Sequence, residues 1–165
     1  MSKQIPLTQG NFAIVDDADY EWLNQYKWHS VFRKTVTYAA HPLPRGLGPR
    51  KRWRMHRLIL GLKFNDGTTV DHINRNGLDN RRCNLRLCTP SQNGMNSPPE
   101  PGYTSKYKGV SWDKISSKWY SQIAVDAKTY NLGRFENETD AAKAYDAKVT
   151  ELCDEFAYLN FPNDL

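Results

Sequence analysis

Val70-Asp71-His72-Ile73-Asn74-Arg75-Asn76-Gly77-Leu78-Asp79-Asn80-Arg81-Arg82-Cys83-Asn84-Leu85-Arg86-Leu87-Cys88-Thr89-Pro90-Ser91-Gln92-Asn93 is the densest polar stretch of the chain, and its punctuation decides the fold. Residues 68–73 read as a strand, Asn76-Gly77 is a hairpin turn signal, and residues 84–88 alternate like a returning strand. A helix is expected next. Thr89 can cap it, Pro90 suits its first position, where no backbone N–H is needed, and Gln92 stands three residues after Thr89 as in a capping box. Asn93 then falls in the first turns of a helix that follows a strand pair. A helix packed across that hairpin would bring Asp71, His72 and Asn93 together.

The side chains so gathered suit one kind of chemistry. A carboxylate and an amide oxygen are hard donors of the sort Mg²⁺ accepts, with water and substrate phosphate completing its shell. An imidazole beside them, with an unperturbed pKa of roughly 6.5, can take a proton from water at neutral pH. Together they would form a phosphodiester hydrolysis site: the ion stabilises charge at the phosphorane, His72 activates water, and nearby arginines hold the strand. The competing reading of the same residues is an Asn-rich hairpin that merely satisfies its own backbone. His29 and His41 have no such neighbours and are expected at the surface or in packing, while His56 is open to either role.

Working outward, charge divides the chain. Residues 1–97 carry 15 basic and 7 acidic side chains, a net of +8, and residues 98–165 carry 8 and 11, a net of −3, which together give the overall +5 of the 165-residue chain. A length of this order allows one domain or two small ones. Arg50-Lys51-Arg52-Trp53-Arg54-Met55-His56-Arg57 concentrates positive charge, and the interleaved Trp53 and Met55, with Leu58 and Ile59 after them, imply a basic face on a packed turn-to-helix segment. Upstream, residues 14–26 suggest a short helix capped by aspartate, residues 28–40 an extended segment, and residues 42–49 a turn rich in Pro and Gly. Three cysteines, none spaced as Cys-x-x-Cys, speak against a disulfide framework and a zinc ribbon. The N-terminus lacks the apolar core of a signal peptide and apolar runs such as Leu58-Ile59-Leu60 are far too short to span a bilayer, so a cytoplasmic protein, not secreted and without a membrane span, is expected.

Residues 98–105, with three prolines, Pro98, Pro99 and Pro101, and no periodicity, read as a semi-rigid linker. After it, residues 107–112, 118–125 and 128–135 are strand-like, the last two joined by an Asp126-Ala127 turn, and residues 137–153 are helical with Ala141, Ala142, Tyr145, Val149 and Leu152 on one stripe. In the middle strand Trp119, Ser121, Ile123 and Val125 should meet the helix, leaving Lys118, Tyr120, Gln122 and Ala124 outside. Residues 106–134 hold six basic and two acidic side chains against two and eight in residues 135–165, so a basic sheet is backed by an acidic helix, a polarity suited to a polyanion.

Met55-His56-Arg57-Leu58-Ile59, Val70-Asp71-His72-Ile73-Asn74, Leu78-Asp79-Asn80-Arg81, Asn84-Leu85-Arg86 and Asn93 closely resemble the HNH homing endonucleases of phages and their introns, in the His-Asn-Asn subgroup. The resemblance implies a ββα-metal fold, His72 as general base, Asp71 and Asn93 as metal ligands, Asn84 as the brace of the hairpin loop, and one Mg²⁺ or Mn²⁺ ion rather than zinc. Tyr107-Lys108-Gly109-Val110, Lys118-Trp119, Ile123, Leu132-Gly133-Arg134-Phe135, Ala141-Ala142-Lys143-Ala144-Tyr145-Asp146 and Leu159-Asn160-Phe161-Pro162 resemble the Apetala or ethylene-response-factor DNA-binding domain, whose three-stranded sheet enters the major groove. By position this implies Lys108, Ser111, Gln122, Thr129 and Asn131 on the DNA side, to which strand alternation adds Trp112, Lys114 and Tyr120, with Lys118 on the exposed side of its strand. Ser111, Ala124 and Asn131 stand where plant members carry arginine or tryptophan, so the plant target does not transfer.

The expectation is therefore an α+β chain: a ββα-metal nuclease module over residues 1–97, a linker over 98–105, and a three-stranded antiparallel sheet packed on one helix over 106–165. Arg75, Arg81, Arg82 and Arg86 are the expected phosphate clamps, extended by Arg52, Arg54 and Arg57. The partner is double-stranded DNA, with no obligate protein partner and a monomer in preference to a dimer. The alternative is a DNA-binding transcriptional regulator with a non-catalytic nuclease module; an RNA-binding role is disfavoured because the sheet lacks paired exposed aromatics.

Overall fold

The computed structural model describes residues 1–33, 35–42, 52–64 and 66–163, in two compact units, Met1–Thr89 and Pro90–Leu165. Both mix helices with antiparallel sheet, as the α+β expectation requires. Among the described residues no helix is long and apolar enough to cross a membrane.

The first unit opens with a hairpin of β1 (Ser2–Pro6) and β2 (Phe12–Asp16), whose inward residues Ile5, Ala13 and Val15 are buried. The helix expected over residues 14–26 is shorter: α1 spans Asp17–Leu23, with Asp17 and Asp19 in its first turn, and Asp16 at the cap position makes no side-chain capping bond, accepting instead from the Arg82 amide. Ile14 and Val15 stay extended for a long-range reason. The Ile14 amide donates to the Leu78 carbonyl at 2.8 Å and its own carbonyl accepts from the Asn80 amide at 2.7 Å, so β2 grips a loop more than sixty residues away.

Residues 28–40 form two strands rather than one. β3 (His29–Arg33) and β4 (Val36–Pro42) pair as a hairpin, and β5 (Arg52–Arg54) adds to the free side of β4 with Ala40 opposite Arg54. Tertiary pairing thus draws Arg52, Trp53 and Arg54 out of the expected helical segment, and α2 covers only Met55–Ile59. Pro42 ends β4, and the rest of the expected turn, 43–49, and the start of the basic run, Arg50 and Lys51, lie outside the described residues. β6 (Thr69–His72) and β7 (Leu85–Cys88) form the expected hairpin, with a 3-10 turn at Arg82–Asn84 leading into β7. Leu23, Trp28, Ala39, Met55, Ile59 and Leu85 join the β1–β2 residues in one core.

In the second unit α3 (Pro90–Asn96) begins at Pro90, as its sequence predicts. β8 (Val110–Asp113), β9 (Lys118–Val125) and β10 (Lys128–Phe135) make a meander, and α4 (Glu138–Cys153) lies across it. Asp126 and Ala127 both take positive φ, 49° and 63°, the combination whose twist matches a two-residue hairpin. Ser121 and Ile123 on β9 meet Ala141, Ala142, Tyr145 and Val149 of α4 in the buried interior. Gly109, at φ 76°, allows the closest approach: a Cβ there would stand 1.9 Å from Tyr145 Cδ2 and 2.8 Å from the Gln122 carbonyl. Buried Asp146 ties down the end of the chain, accepting from the Asn160 amide, the Asn160 side chain and the Phe161 amide at 2.8–2.9 Å.

The division between units falls ahead of the expected linker at 98–105 because α3 packs with the second unit. Met95 joins the Ile123–Tyr145–Val149 cluster, and the Lys108 ammonium donates to the carbonyls of Gly94, Met95 and Ser97 at 2.6–2.8 Å. Thr104 and Ser105 are also fixed, the first accepting from the Trp112 amide and the second donating to Glu138.

Candidate active site

The β6–β7 hairpin fixes His72 and Asp71 on neighbouring positions, and strand alternation sends their side chains to opposite faces. His72 is 5% exposed. Its ring lies 4.9 Å from that of His56, edge-on at 86°, and 5.7 Å from that of Tyr38, while Tyr38 and His56 stand 5.6 Å apart. Nε2 of His72 faces Asn80 Oδ1 across a long 3.5 Å contact. Burial pulls the His72 pKa below its usual 6.5, partly offset by the Asn80 contact and the negative charges of Asp71 and Asp79. At neutral pH the ring is a free base.

Asp71 lies opposite Arg86, whose Nε and terminal nitrogen both donate to its Oδ2, at 2.9 and 2.7 Å. The two side chains are 7% and 11% exposed. Cys88, on the same face of the hairpin, has its thiol pushed up to about 11 by burial and then by Asp71, so it stays protonated and is neither a thiolate ligand nor a nucleophile at neutral pH.

The loop between the strands is held from several sides. Asn84 Oδ1 accepts from the Asn74 amide at 2.9 Å, and its Nδ2 donates to Asn74 Oδ1 at 3.0 Å and to the Asp79 carbonyl at 2.7 Å. These bonds across the loop explain why residue 84 needs a side chain that both donates and accepts. Asp79, 2% exposed, accepts from Nε and a terminal nitrogen of Arg81 at 2.8 and 2.6 Å. Arg82 pairs with Asp19 at 2.8 and 2.7 Å and donates its amide to Asp16. Gly77 lies against β4 so closely that a Cβ would stand 2.5 Å from the Thr37 carbonyl and 2.8 Å from Tyr38 Cδ1.

The arginines expected to hold phosphate have the following partners. Arg81, Arg82 and Arg86, expected on phosphate, are paired with Asp79, Asp19 and Asp71, and Arg57 is engaged by Asp66 and the carbonyls of Lys63 and Thr68. Arg54 stacks 4.9 Å over the Tyr38 ring, whereas Arg52 and Arg75 are exposed. Arg75 adopts φ 63°, the left-handed conformation that the turn demands. His29 and His41 are partly buried packing residues, bonded to Thr8 and to the Lys27 carbonyl. Tyr38, His56 and Asn80 were not singled out by sequence as neighbours of His72. The Met55-His56-Arg57 stretch was the available signal, but no local pattern indicated where its histidine would point.

Asn93 sits half-buried in α3, in the second unit. In that unit strand register puts Ser111, Lys118, Tyr120, Gln122, Thr129, Asn131 and Arg134 on the sheet face away from α4. Arg134 bonds Asp113 at 2.7 Å and stacks 5.3 Å from the Tyr120 ring centre, and Lys118 pairs with Glu136 at 2.8 Å. Two expectations fail here. Trp112 is opposite Trp119, with ring centres 5.0 Å apart, which turns it to the other face. Lys108 spends its ammonium on the carbonyls at the end of α3, neutralising the negative end of that helix, and is not on the outward face.

The HNH endonuclease family model matches residues 54–95, the span holding α2, the hairpin and the start of α3. Over 154 residues the chain is 32% identical to an uncharacterized HNH endonuclease of Acanthamoeba polyphaga mimivirus, covering 92% of this chain and 76% of that protein. The chain belongs to the HNH endonuclease family. It is also 35% identical over 66 residues to protein 3.8 of Escherichia phage T7, a match covering 40% of this chain and 54% of the phage protein. No solved structure matches significantly.

Hard-oxygen donors are what the family's divalent ion would need, and in the first unit Asp71 is of that type. No group of three or more His, Cys, Asp or Glu side chains able to hold a metal occurs among the described residues. The carboxylate of Asp71 is a hard donor of the kind divalent cations such as Mg²⁺ accept, with water and phosphate filling the rest of the shell.

The buried histidines make the first unit acid-sensitive. His56 is held well below the ordinary 6.5 by burial, then by the charges of His72, Arg54 and Arg57, and His72 is lowered as described. Above pH 6.5 the histidines are neutral folded or unfolded. Below it the unfolded chain takes up protons that the folded unit refuses, so stability falls by up to about 1.4 kcal/mol per pH unit for each ring. Urea unfolding of the full chain at pH 7.5, 6.5 and 5.5 should show this loss in wild type and a smaller one in His56→Phe. An equal loss in both would remove His56 from the account.

Proposed function

We propose that this chain is a site-specific homing-type endonuclease that hydrolyses DNA phosphodiester bonds with one divalent cation, Mg²⁺ or Mn²⁺. The observation that carries the reading is a buried, neutral His72 beside Asp71 on a hairpin whose loop is cross-braced by Asn84. In this reading His72 takes a proton from the attacking water, Asp71 contributes a ligand to the cation, and Asn84 keeps the hairpin loop in shape. When bound, the cation supplies charge stabilisation at the phosphorane and the departing oxygen. Exposed Arg52 and Arg75 are the arginines best disposed toward the phosphate backbone.

The sheet of the second unit selects the site. Ser111, Lys118, Tyr120, Gln122, Thr129 and Asn131 share one face with Arg134, a mixture of hydrogen-bonding and cationic groups of the kind that reads a major groove. Tethering such a module to a weakly specific nuclease raises the local concentration of the cutting site at the chosen sequence. The expected products carry 3′-hydroxyl and 5′-phosphate ends. Incubation of end-labelled phage or plasmid duplex with Mg²⁺ should give fragments that DNA ligase rejoins directly, and chelation with EDTA should abolish them. Fragments that require phosphatase or kinase treatment before ligation, or cleavage unaffected by EDTA, would refute this chemistry.

A further inference from the structure

Among the described residues only two buried side-chain atoms lack a hydrogen-bond partner, and one is Nδ1 of His56. The residue is 4% exposed, on the short helix α2, and its ring closes a triangle with His72 and Tyr38 at centre separations of 4.9, 5.6 and 5.7 Å. A buried nitrogen without a partner is destabilising, and an apolar ring in the same space would avoid the loss. The ring therefore contributes through its shape and place. It stands perpendicular to the His72 imidazole, at 86°, while Tyr38, itself covered by the Arg54 guanidinium 4.9 Å away, closes the adjoining side.

We propose that His56 is a positioning residue: with Tyr38 it holds the plane of the His72 imidazole through ring packing, and its own nitrogens take no part in the chemistry. This rests on His72 being the general base. The test compares His56→Phe, which keeps a planar ring, with His56→Ala and His56→Leu, which do not, each in the full chain and each checked for folding by thermal melt. Single-turnover cleavage should fall roughly 10- to 100-fold in the alanine and leucine variants with DNA affinity unchanged, since a misplaced catalytic group costs rate rather than binding. His56→Phe should cleave within about threefold of wild type and melt higher.

A second readout needs no cleavage. In ¹H–¹³C spectra of the metal-free, DNA-free chain, the His72 ring signals should keep their wild-type positions closely in His56→Phe and move toward random-coil values in His56→Ala or His56→Leu. Unmoved His72 signals in a folded ringless variant overturn the proposal whether or not the chain is a nuclease. A phenylalanine variant as slow as the alanine one, with its His72 signals in place, overturns it too, because the nitrogen would then matter. Absence of cleavage in wild type, with the spectral pattern as expected, faults the nuclease reading and leaves the positioning role supported.

Discussion

Arg86→Met is expected to destabilise the first unit by roughly 3–5 kcal/mol, the usual consequence of leaving one member of a buried ion pair behind. The Asp71 and Arg86 side chains are 7% and 11% exposed, and both guanidinium nitrogens converge on one carboxylate oxygen. Methionine fills much of the volume but supplies neither the charge nor the donors. For a unit of this size the melting transition should drop by roughly 10 °C or more. The same variant probes the site's chemistry. If Asp71 serves a divalent cation, millimolar Mg²⁺ restores a counter-charge beside it and should raise the melting temperature of Arg86→Met more than that of wild type. A variant that melts like wild type would show the pair to be energetically idle, and a variant indifferent to Mg²⁺ and Mn²⁺ would count against Asp71 as a ligand.

The local parts of this fold were legible in the sequence. Alternation and an Asn-Gly turn define β6 and β7, Pro90 marks the start of α3, and the Ala141–Tyr145–Val149 stripe places α4 on the sheet. Period and turn chemistry act over a few residues, so a single sequence displays them. What it does not display is which arginine finds which carboxylate. Arg82 pairs with Asp19, 63 positions away, and β2 joins the backbone of the 78–80 loop, although neither segment is unusual by itself. Arg52–Arg54 carries the composition of an exposed basic helix yet pairs as an edge strand, because β4 offers free backbone groups that outweigh a weak helical preference. Strand alternation alone assigns Trp112 to the outward face with Tyr120. The observed register sets it opposite Trp119, on the other face from Tyr120. Of the candidate site, the residues themselves were legible; the His56–Tyr38 wall beside His72 depends on three elements meeting and was not.

His72→Ala should slow DNA cleavage by roughly 10² to 10⁴-fold, the range a positioned general base contributes. The effect should fall on chemistry alone. His72 is 5% exposed and packed against Tyr38 and His56, so its removal takes away little surface that DNA could touch. The direct measurement follows one sample of labelled target duplex with excess protein in Mg²⁺, recording bound fraction and cleaved fraction together for wild type and His72→Ala. The account predicts equal binding and a break that forms in wild type and is lost, by at least a hundredfold in rate, in the variant. Equal cleavage by a folded His72→Ala protein would contradict it.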